Sequence, residues 1–197
     1  PPRYMKSTLV SIQFPAWLWT LDPTRRGIFA SYGASLAVQH STHRRDIIES
    51  EWYRSQWPFV SMKPDQNSKT EYENTQMGRY VSTSVDGAAT GKGGNLIVLD
   101  DLINPKEEDS AAARKAAHDF VDGTLQTRLD DKERGAIVCV EQRLCPRDVT
   151  AHLLKKQGSR YVLVKLPGIV ENQTEYVFPR SGRVYIREAG ETLWPAR

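Results

Sequence analysis

The sequence has few cysteines, no long apolar run and little net charge. Only Cys139 and Cys145 occur among its 197 residues, and the first lies inside an apolar segment, so we expect a reducing compartment rather than a disulfide framework. No apolar stretch approaches the roughly 20 residues that a membrane-spanning helix needs. The formal net charge of +3 permits contact with nucleic acid but does not argue for it. The totals suit one α/β domain with a real core.

The strongest pattern is the segment 95–101, NLIVLDD, in which four aliphatic residues run directly into Asp100 and Asp101. A short apolar run after a glycine-rich turn predicts a strand buried on both faces, as in a parallel sheet. Carboxylates at the end of such a strand lie at the carboxyl edge of the sheet, where α/β folds bind ligands. Two of them could hold a hydrated Mg²⁺ and orient or deprotonate a water. A helix cap plus a turn carboxylate is the competing interpretation.

The rest of the chain alternates between predicted strands and helices. Strands are expected at 27–32, 78–85, 135–143 and 161–167, and helices at 7–19, 36–53, 110–129 and 147–156. Residues 54–77 are expected to form a surface loop or a weak edge hairpin, and 168–197 contain short β-like runs. This order predicts an α/β fold with a mainly parallel sheet flanked by helices.

Three details of the helices are open to test. Pro15 is expected to kink or end the first helix, in which Trp17 and Trp19 are expected to pack inside. The basic middle of the second helix, around His40 and Arg44, is interpreted as a solvated face. A surface that contacts phosphate backbones is the alternative for it.

The first residues contain a weak phosphate-loop pattern. Lys6, Ser7 and Thr8 precede an apolar segment, and such a loop needs a lysine for phosphates, a hydroxyl for Mg²⁺ and free amides at a helix N-terminus. The common pattern GxxxxGK[ST] has two glycines that are missing here, and Met5 stands in place of the second. An ordinary charged first turn of a helix is the alternative.

A phosphate loop normally follows a buried strand, and the sequence begins at Pro1 with the loop itself. Omitting about five buried aliphatic residues forgoes on the order of 10 kcal/mol, which rivals the net stability of a domain. We therefore expect that the chain is a fragment whose sheet lacks its first strand, or that another segment fills the gap.

Together these segments resemble the ATPase domain of the large terminase subunit of tailed bacteriophages, the motor that packages DNA into the capsid. The resemblance lies in PPRYMKS, FASYGASLA with ESEWY, TSVDGAATGKGGNLIVLDDL, VEQRLCPRDVTAHLL, VLVKLPGI and GETLWPAR, which occur in the family's order. It covers nearly the whole chain. It implies a P-loop NTPase-type ATPase domain at 1–188 and, at 189–197, the start of a linker toward a nuclease domain that the sequence does not contain.

The resemblance also implies roles for single residues. The loop residues would bind ATP: Arg3, Tyr4, Met5, Lys6, Ser7 and Thr8. Ser7 and Asp100 would hold Mg²⁺, Asp101 would polarise the attacking water, and Arg3 would neutralise the γ-phosphate. Gln142 would sense the γ-phosphate and couple hydrolysis to movement, with support from Arg143. Lys92 and Arg79 are the candidates for a cation that acts on the adjacent subunit.

The implied partners are double-stranded DNA, further copies of the chain in a ring, a portal protein and a small terminase subunit, in the cytoplasm of a bacterial host and without a membrane. The family usually has Gly where Met5 stands, and many relatives have Glu at the position of Asp101. A truncated or decayed terminase fragment, with weak or no nucleotide binding and no turnover, is therefore the alternative. A small DNA-binding protein unrelated to ATP is less favoured, because no basic patch with interleaved aromatics occurs.

Overall fold

The computed structural model describes residues 3–87, 91–125, 127–178 and 180–194. The chain divides into a main unit, Met5–Gly158, and a tail unit, Pro1–Tyr4 with Ser159–Arg197. Pro1 and Pro2 of the phosphate-loop motif and residues 195–197 of the predicted linker lie outside the described residues. Within the described ranges, no helix combines the length and the apolar character needed to cross a bilayer.

The main unit is built on a six-stranded sheet. Its strands are β1 (Arg26–Ser31), β2 (Met62–Asn67), β3 (Glu71–Asn74), β4 (Arg79–Ser84), β5 (Leu96–Asp100) and β6 (Ala136–Val140), in the spatial order β2-β3-β4-β1-β5-β6. Strands β4, β1, β5 and β6 run parallel, whereas the hairpin β2–β3 pairs antiparallel at one side. The predicted α/β fold with a mainly parallel sheet is confirmed, and β5 is buried along its full length, as NLIVLDD predicts.

Helices flank this sheet. They are α1 (Phe14–Leu21), α2 (Ala34–Glu49), α3 (Glu51–Gln56), α4 (Ala111–Asp119) and α5 (Val149–Gln157), with π-helical segments at Thr8–Gln13 and Phe120–Leu125 and 3₁₀ turns at Pro105–Glu107 and Gly158–Arg160. Ser110 and Asp148 cap α4 and α5 by accepting hydrogen bonds from backbone amides of the first turn. Cys139 and Cys145 are both free thiols.

The expected interruption at Pro15 takes the form of a change in helix type. The amide of Phe14 donates to the carbonyl of Leu9, five residues back, so the π-helical segment closes just before the proline. Pro15 then lies in the first turn of α1, where a backbone donor is not needed. Trp19 is fully buried as predicted, but the prediction for Trp17 is wrong, since 51% of its surface is exposed.

Two element predictions are wrong. The single helix expected at 36–53 is two helices, because Ser50 adopts an extended conformation and its hydroxyl caps α3 by accepting from the amide of Tyr53. The strand expected at 161–167 is irregular chain with exposed side chains, and 87% of the surface of Val162 is exposed. An apolar run becomes a buried strand only when a neighbouring strand pairs with its backbone, and no pairing is described for this one.

The interpretation of the middle of α2 as a solvated face is wrong for His40 and Arg44, which are both buried. The Arg44 guanidinium donates to the hydroxyl of Tyr72 at 2.5 Å, to the carbonyl of Ser11 at 2.7 Å and to the hydroxyl of Ser82 at 3.0 Å. Its carbon lies 3.7 Å from the centroid of the Phe29 ring. These partners compensate the cost of burying the charge, and the helix pattern gives no hint of them because they come from distant segments.

The tail unit contains an antiparallel hairpin of β7 (Thr174–Val177) and β8 (Val184–Arg187). Arg187 is buried and donates to the carbonyls of Pro167 and Glu191, both at 2.9 Å. The short β-like runs of residues 168–197 are thus paired with each other.

Candidate functional site

The first helical turn and the end of β5 meet at the carboxyl edge of the sheet. The Ser7 hydroxyl donates to Oδ1 of Asp100 at 2.9 Å, although the two residues are 93 positions apart in the chain. Lys6 and Ser7 are the first helical residues, directly before the π-helical segment that starts at Thr8. The structure therefore brings together the two residues that the sequence proposes as metal ligands.

The second oxygen of Asp100 is also engaged. The Ser11 hydroxyl donates to Oδ2 at 2.5 Å, and Nδ1 of His40 lies 3.5 Å from the same oxygen. Only 2% of the surface of Asp100 is exposed. Burial raises the pKa of the Asp100 carboxyl, and the hydrogen bonds from Ser11 and Ser7, with His40 nearby, partly oppose that rise.

Ser11 and His40 were not identified from the sequence. Ser11 follows Ser7 by four residues, so both hydroxyls lie on one face of the helix, and this spacing could have suggested the pair. His40 carries no comparable signal. Burial lowers the pKa of its imidazole, and the negative charge of Asp100 partly opposes that.

Asp101 turns the chain out of the sheet and remains fixed to both neighbouring strands. Its φ is +48°, a left-handed conformation that Asp and Asn tolerate better than most residues. Its amide donates to the carbonyl of Val140, and its carbonyl accepts from the amide of Tyr32. Oδ1 of Asp101 accepts a hydrogen bond from the backbone amide of Gln142 at 3.0 Å. The side chain is thus oriented by the chain that leaves β6.

The residues after β6 also connect to the start of α5. Oε1 of Glu141 accepts the amide of Thr150 at 2.7 Å, and Nε of Arg143 lies 2.5 Å from Oδ2 of Asp148, which caps the helix. Burial raises the pKa of Glu141 to about 7. Because Gln142 stands between these two anchors, the position of Asp101 is coupled structurally to the N-terminus of α5.

Lys92 and Arg79 lie at the opposite edge of the sheet. Arg79 begins β4 and Lys92 precedes β5, so both belong to the amino edge. Nζ of Lys92 lies 2.8 Å from Oε1 of Glu71, and Nε of Arg79 lies 4.0 Å from the same oxygen. Nη2 of Arg79 also donates to the carbonyl of Gly93 at 3.3 Å. Their action on an adjacent subunit stays a prediction.

The loop before Lys6 is held in an uncommon conformation. Met5 has a φ of +58°, in the left-handed region that favours glycine, which is the residue of the family pattern at this position. Arg3 and Tyr4 belong to the tail unit, and their nucleotide-binding roles stay predictions.

The oxygen atoms of Ser7 and Asp100 suit a hard cation such as Mg²⁺. In the part of the chain that the structure describes, no group of three or more His, Cys, Asp or Glu side chains could hold a metal by itself. The oxygen donors of Ser7 and Asp100 therefore fit Mg²⁺, and any further ligands of such a cation would have to come from outside these two side chains.

No protein-family model matches the chain, and no curated protein matches it. Among solved structures, the fold is similar to that in the crystal structure of the HK97 bacteriophage large terminase, with 15% sequence identity and a TM-score of 0.48. The alignment covers 80% of this chain and 31% of the terminase chain, so this chain spans about a third of that protein's length. A likeness at this identity concerns the fold alone and assigns no chemistry to this chain.

Proposed function

We propose that the chain is the ATPase module of a DNA-packaging motor, in which ATP hydrolysis drives the movement of double-stranded DNA into a viral capsid. The observation that carries the proposal is the contact between the Ser7 hydroxyl and the Asp100 carboxylate. It places a Lys-Ser helix start against an acidic strand end, an arrangement that P-loop NTPases use to hold Mg²⁺ and nucleotide.

The residues of the carboxyl edge can divide the work. Lys6 would contact the β- and γ-phosphates, and Ser7 with Asp100 would hold Mg²⁺, which when bound neutralises phosphate charge. Asp101 would orient and polarise the attacking water. Its carboxylate has a fixed direction, because the amide of Gln142 donates to Oδ1. Arg3 would add a positive charge at the γ-phosphate.

Coupling to movement would pass through the chain after β6. The backbone amide of Gln142 contacts Asp101. Its neighbours Glu141 and Arg143 bind the first turn of α5. A change at the γ-phosphate that displaces Gln142 would therefore pull on α5. In the proposed motor several copies form a ring on DNA in the bacterial cytoplasm with a portal protein and a small terminase subunit, and Lys92 or Arg79 would act across the interface.

One observation favours the alternative of a fragment without turnover. Met5 occupies a left-handed conformation that costs a non-glycine residue about 1–2 kcal/mol. It does so at the residue before Lys6, where the backbone has to approach phosphate closely. A loop with this cost could bind nucleotide weakly.

Steady-state ATP hydrolysis, with and without linear double-stranded DNA, tests the proposal. We expect hydrolysis by the wild type and its loss in Lys6→Ala and Asp101→Ala, with His43→Ala as the control because His43 is exposed on α2. Equal rates in the wild type and both site variants would contradict the motor. Absence of both nucleotide binding and hydrolysis in all variants would favour the fragment without turnover.

A further inference from the structure

Ser11 is a buried hydroxyl one helical turn after Ser7. The two serines bind different oxygens of one carboxylate, Ser7 at Oδ1 and Ser11 at Oδ2 of Asp100. Only Ser7 corresponds to a residue of the phosphate-loop pattern. The second hydroxyl leaves the carboxylate little freedom to rotate, because both of its ends are held from the same helix face.

Ser11 is itself held from behind by Arg44. The guanidinium donates to the carbonyl of Ser11 at 2.7 Å, and its other bonds reach Tyr72 on β3 and Ser82 on β4. The same guanidinium stacks on Phe29 of β1. Ser11 lies in a π-helical segment, where the usual hydrogen-bond ladder is altered and an external partner for its carbonyl fixes the turn. The position of Ser11 is thus set by three strands of the sheet.

We infer that Ser11 is a positioning residue for the Asp100 carboxylate, which it orients toward the divalent cation that Ser7 and Asp100 would hold, and that Arg44 keeps Ser11 in place. The inference rests on the proposed function for its cation site. Because Ser7 and Ser11 each donate to a different oxygen of Asp100, the two hydrogen bonds together fix the direction of the carboxylate. Groups that hold a metal ligand in this way typically change metal affinity by 10- to 100-fold when removed.

A purely structural role would show a different signature. If Ser11 only satisfied a buried polar group, its loss would lower stability and leave cation affinity unchanged. Ser41 on α2 offers a matched control, because its side chain is fully buried and its hydroxyl has no hydrogen-bond partner among the residues that the structure describes. Ser11→Ala and Ser41→Ala both remove one buried hydroxyl, and only the first touches Asp100.

The experiment measures Mn²⁺ binding by electron paramagnetic resonance in the presence of a non-hydrolysable ATP analogue, so it needs no turnover. We expect Ser11→Ala to raise the Mn²⁺ dissociation constant by about 10-fold or more. Ser41→Ala should change it by less than about two-fold, since Ser41 is not bonded to the ligands. Ser11→Thr, which keeps the hydroxyl, should restore most of the affinity. Ser11→Cys, close in size and a weaker donor, gives an intermediate value and serves if the alanine variant does not fold.

The inference would be overturned if Ser11→Ala bound Mn²⁺ as tightly as the control Ser41→Ala. If Ser11→Ala does not fold, Ser11→Cys takes its place in this comparison. ATP hydrolysis by the wild type is measured separately. A wild type that hydrolyses ATP while those variants bind Mn²⁺ equally contradicts the inference alone. A wild type that binds Mn²⁺ without hydrolysis, and whose Ser11 variants bind it more weakly, supports the inference and contradicts the proposed function. A wild type that binds no Mn²⁺ contradicts both.

Discussion

The carboxylates at the two edges of the sheet have different partners. At the amino edge, Glu71 pairs with Lys92 and lies near Arg79, and Arg26 at the start of β1 pairs with Asp130 at 2.9 Å. At the carboxyl edge, Arg143 pairs with Asp148, but hydroxyls, backbone amides and an imidazole face Asp100, Asp101 and Glu141. Neutral donors fix the direction of a carboxylate without cancelling its charge, whereas a bound cation cancels it. The amino edge therefore suits stability, and the carboxyl edge suits a ligand that brings positive charge.

The largest expected effect is a loss of ATP hydrolysis when a carboxylate of the carboxyl edge is replaced. Asp101→Asn should lower kcat for ATP hydrolysis by about 10²–10⁴-fold, because a carboxylate that polarises water is lost. Asn tolerates the left-handed backbone and still accepts the amide of Gln142, so the fold should be retained. Steady-state hydrolysis and circular dichroism measure the two properties.

Glu71→Gln is the matched change at the amino edge. It removes the negative charge that faces Lys92 and Arg79. The kcat of the isolated chain should stay within about two-fold of the wild type, and the free energy of unfolding should fall by no more than about 1 kcal/mol. A loss of activity equal to that of Asp101→Asn would contradict the division between the edges.

Arg44 tests whether the carboxyl edge depends on its buried support. Arg44→Met should lower the free energy of unfolding by about 3 kcal/mol, because three hydrogen bonds are lost and the carbonyl of Ser11 and the hydroxyls of Tyr72 and Ser82 lose a donor. His43, the exposed residue next to Arg44, provides the control. His43→Gln should change the free energy of unfolding by less than about 0.5 kcal/mol. Urea denaturation followed by tryptophan fluorescence gives both values, and equal values would show that the network has no net stabilising effect.

The pH dependence of stability tests the burial of Glu141. Its pKa rises from an ordinary 4.5 to about 7, so the native state binds more protons than the unfolded state between these values. Stability is then highest below about pH 4.5 for this group and falls as the pH rises to about 7. Glu141→Gln keeps an acceptor for the amide of Thr150 and should stabilise the protein at pH 8 by on the order of 2 kcal/mol, with little change at pH 4.

Urea denaturation of the wild type and Glu141→Gln at pH 4, 6 and 8 measures this difference. The raised pKa of Asp100 acts in the same direction, so the variant should retain part of the slope. A stability difference that does not vary with pH would show that Glu141 does not titrate in this range.

The sequence predicted what depends on local pattern and failed where distant partners decide. The apolar run of β5 and its two carboxylates were predictable because hydrophobic burial acts on every residue of the run. The run at 161–167 is also mostly apolar, yet it forms no strand, because pairing requires another strand. Arg44 looked solvated because charge alone does not reveal the hydroxyls and carbonyl that the fold places around it.

The candidate site divides along the same line. Ser7 and Asp100 could be predicted as partners because the resemblance joins a phosphate loop to an acidic strand end. The amide of Gln142 on Asp101 and the His40 ring beside Asp100 depend on strand register and helix rotation, which no short pattern encodes. The backbone conformation of Met5 could be predicted only in part. The missing glycine indicates that this position differs from the phosphate-loop pattern, but it does not indicate whether the left-handed turn is kept.

Each edge of the sheet also carries a methionine in a left-handed conformation, which gives the smallest and most closely matched test. Met5 has a φ of +58° beside the carboxyl edge, and Met77 has a φ of +71° in the turn between β3 and β4 at the amino edge. Glycine adopts this conformation without a Cβ clash, so Met5→Gly and Met77→Gly should each raise the free energy of unfolding by about 1 kcal/mol. Only Met5→Gly should also change the KM for ATP, because its backbone leads into Lys6. Equal stabilisation with an unchanged KM in both variants would mean that the left-handed turn before Lys6 does not contact the nucleotide.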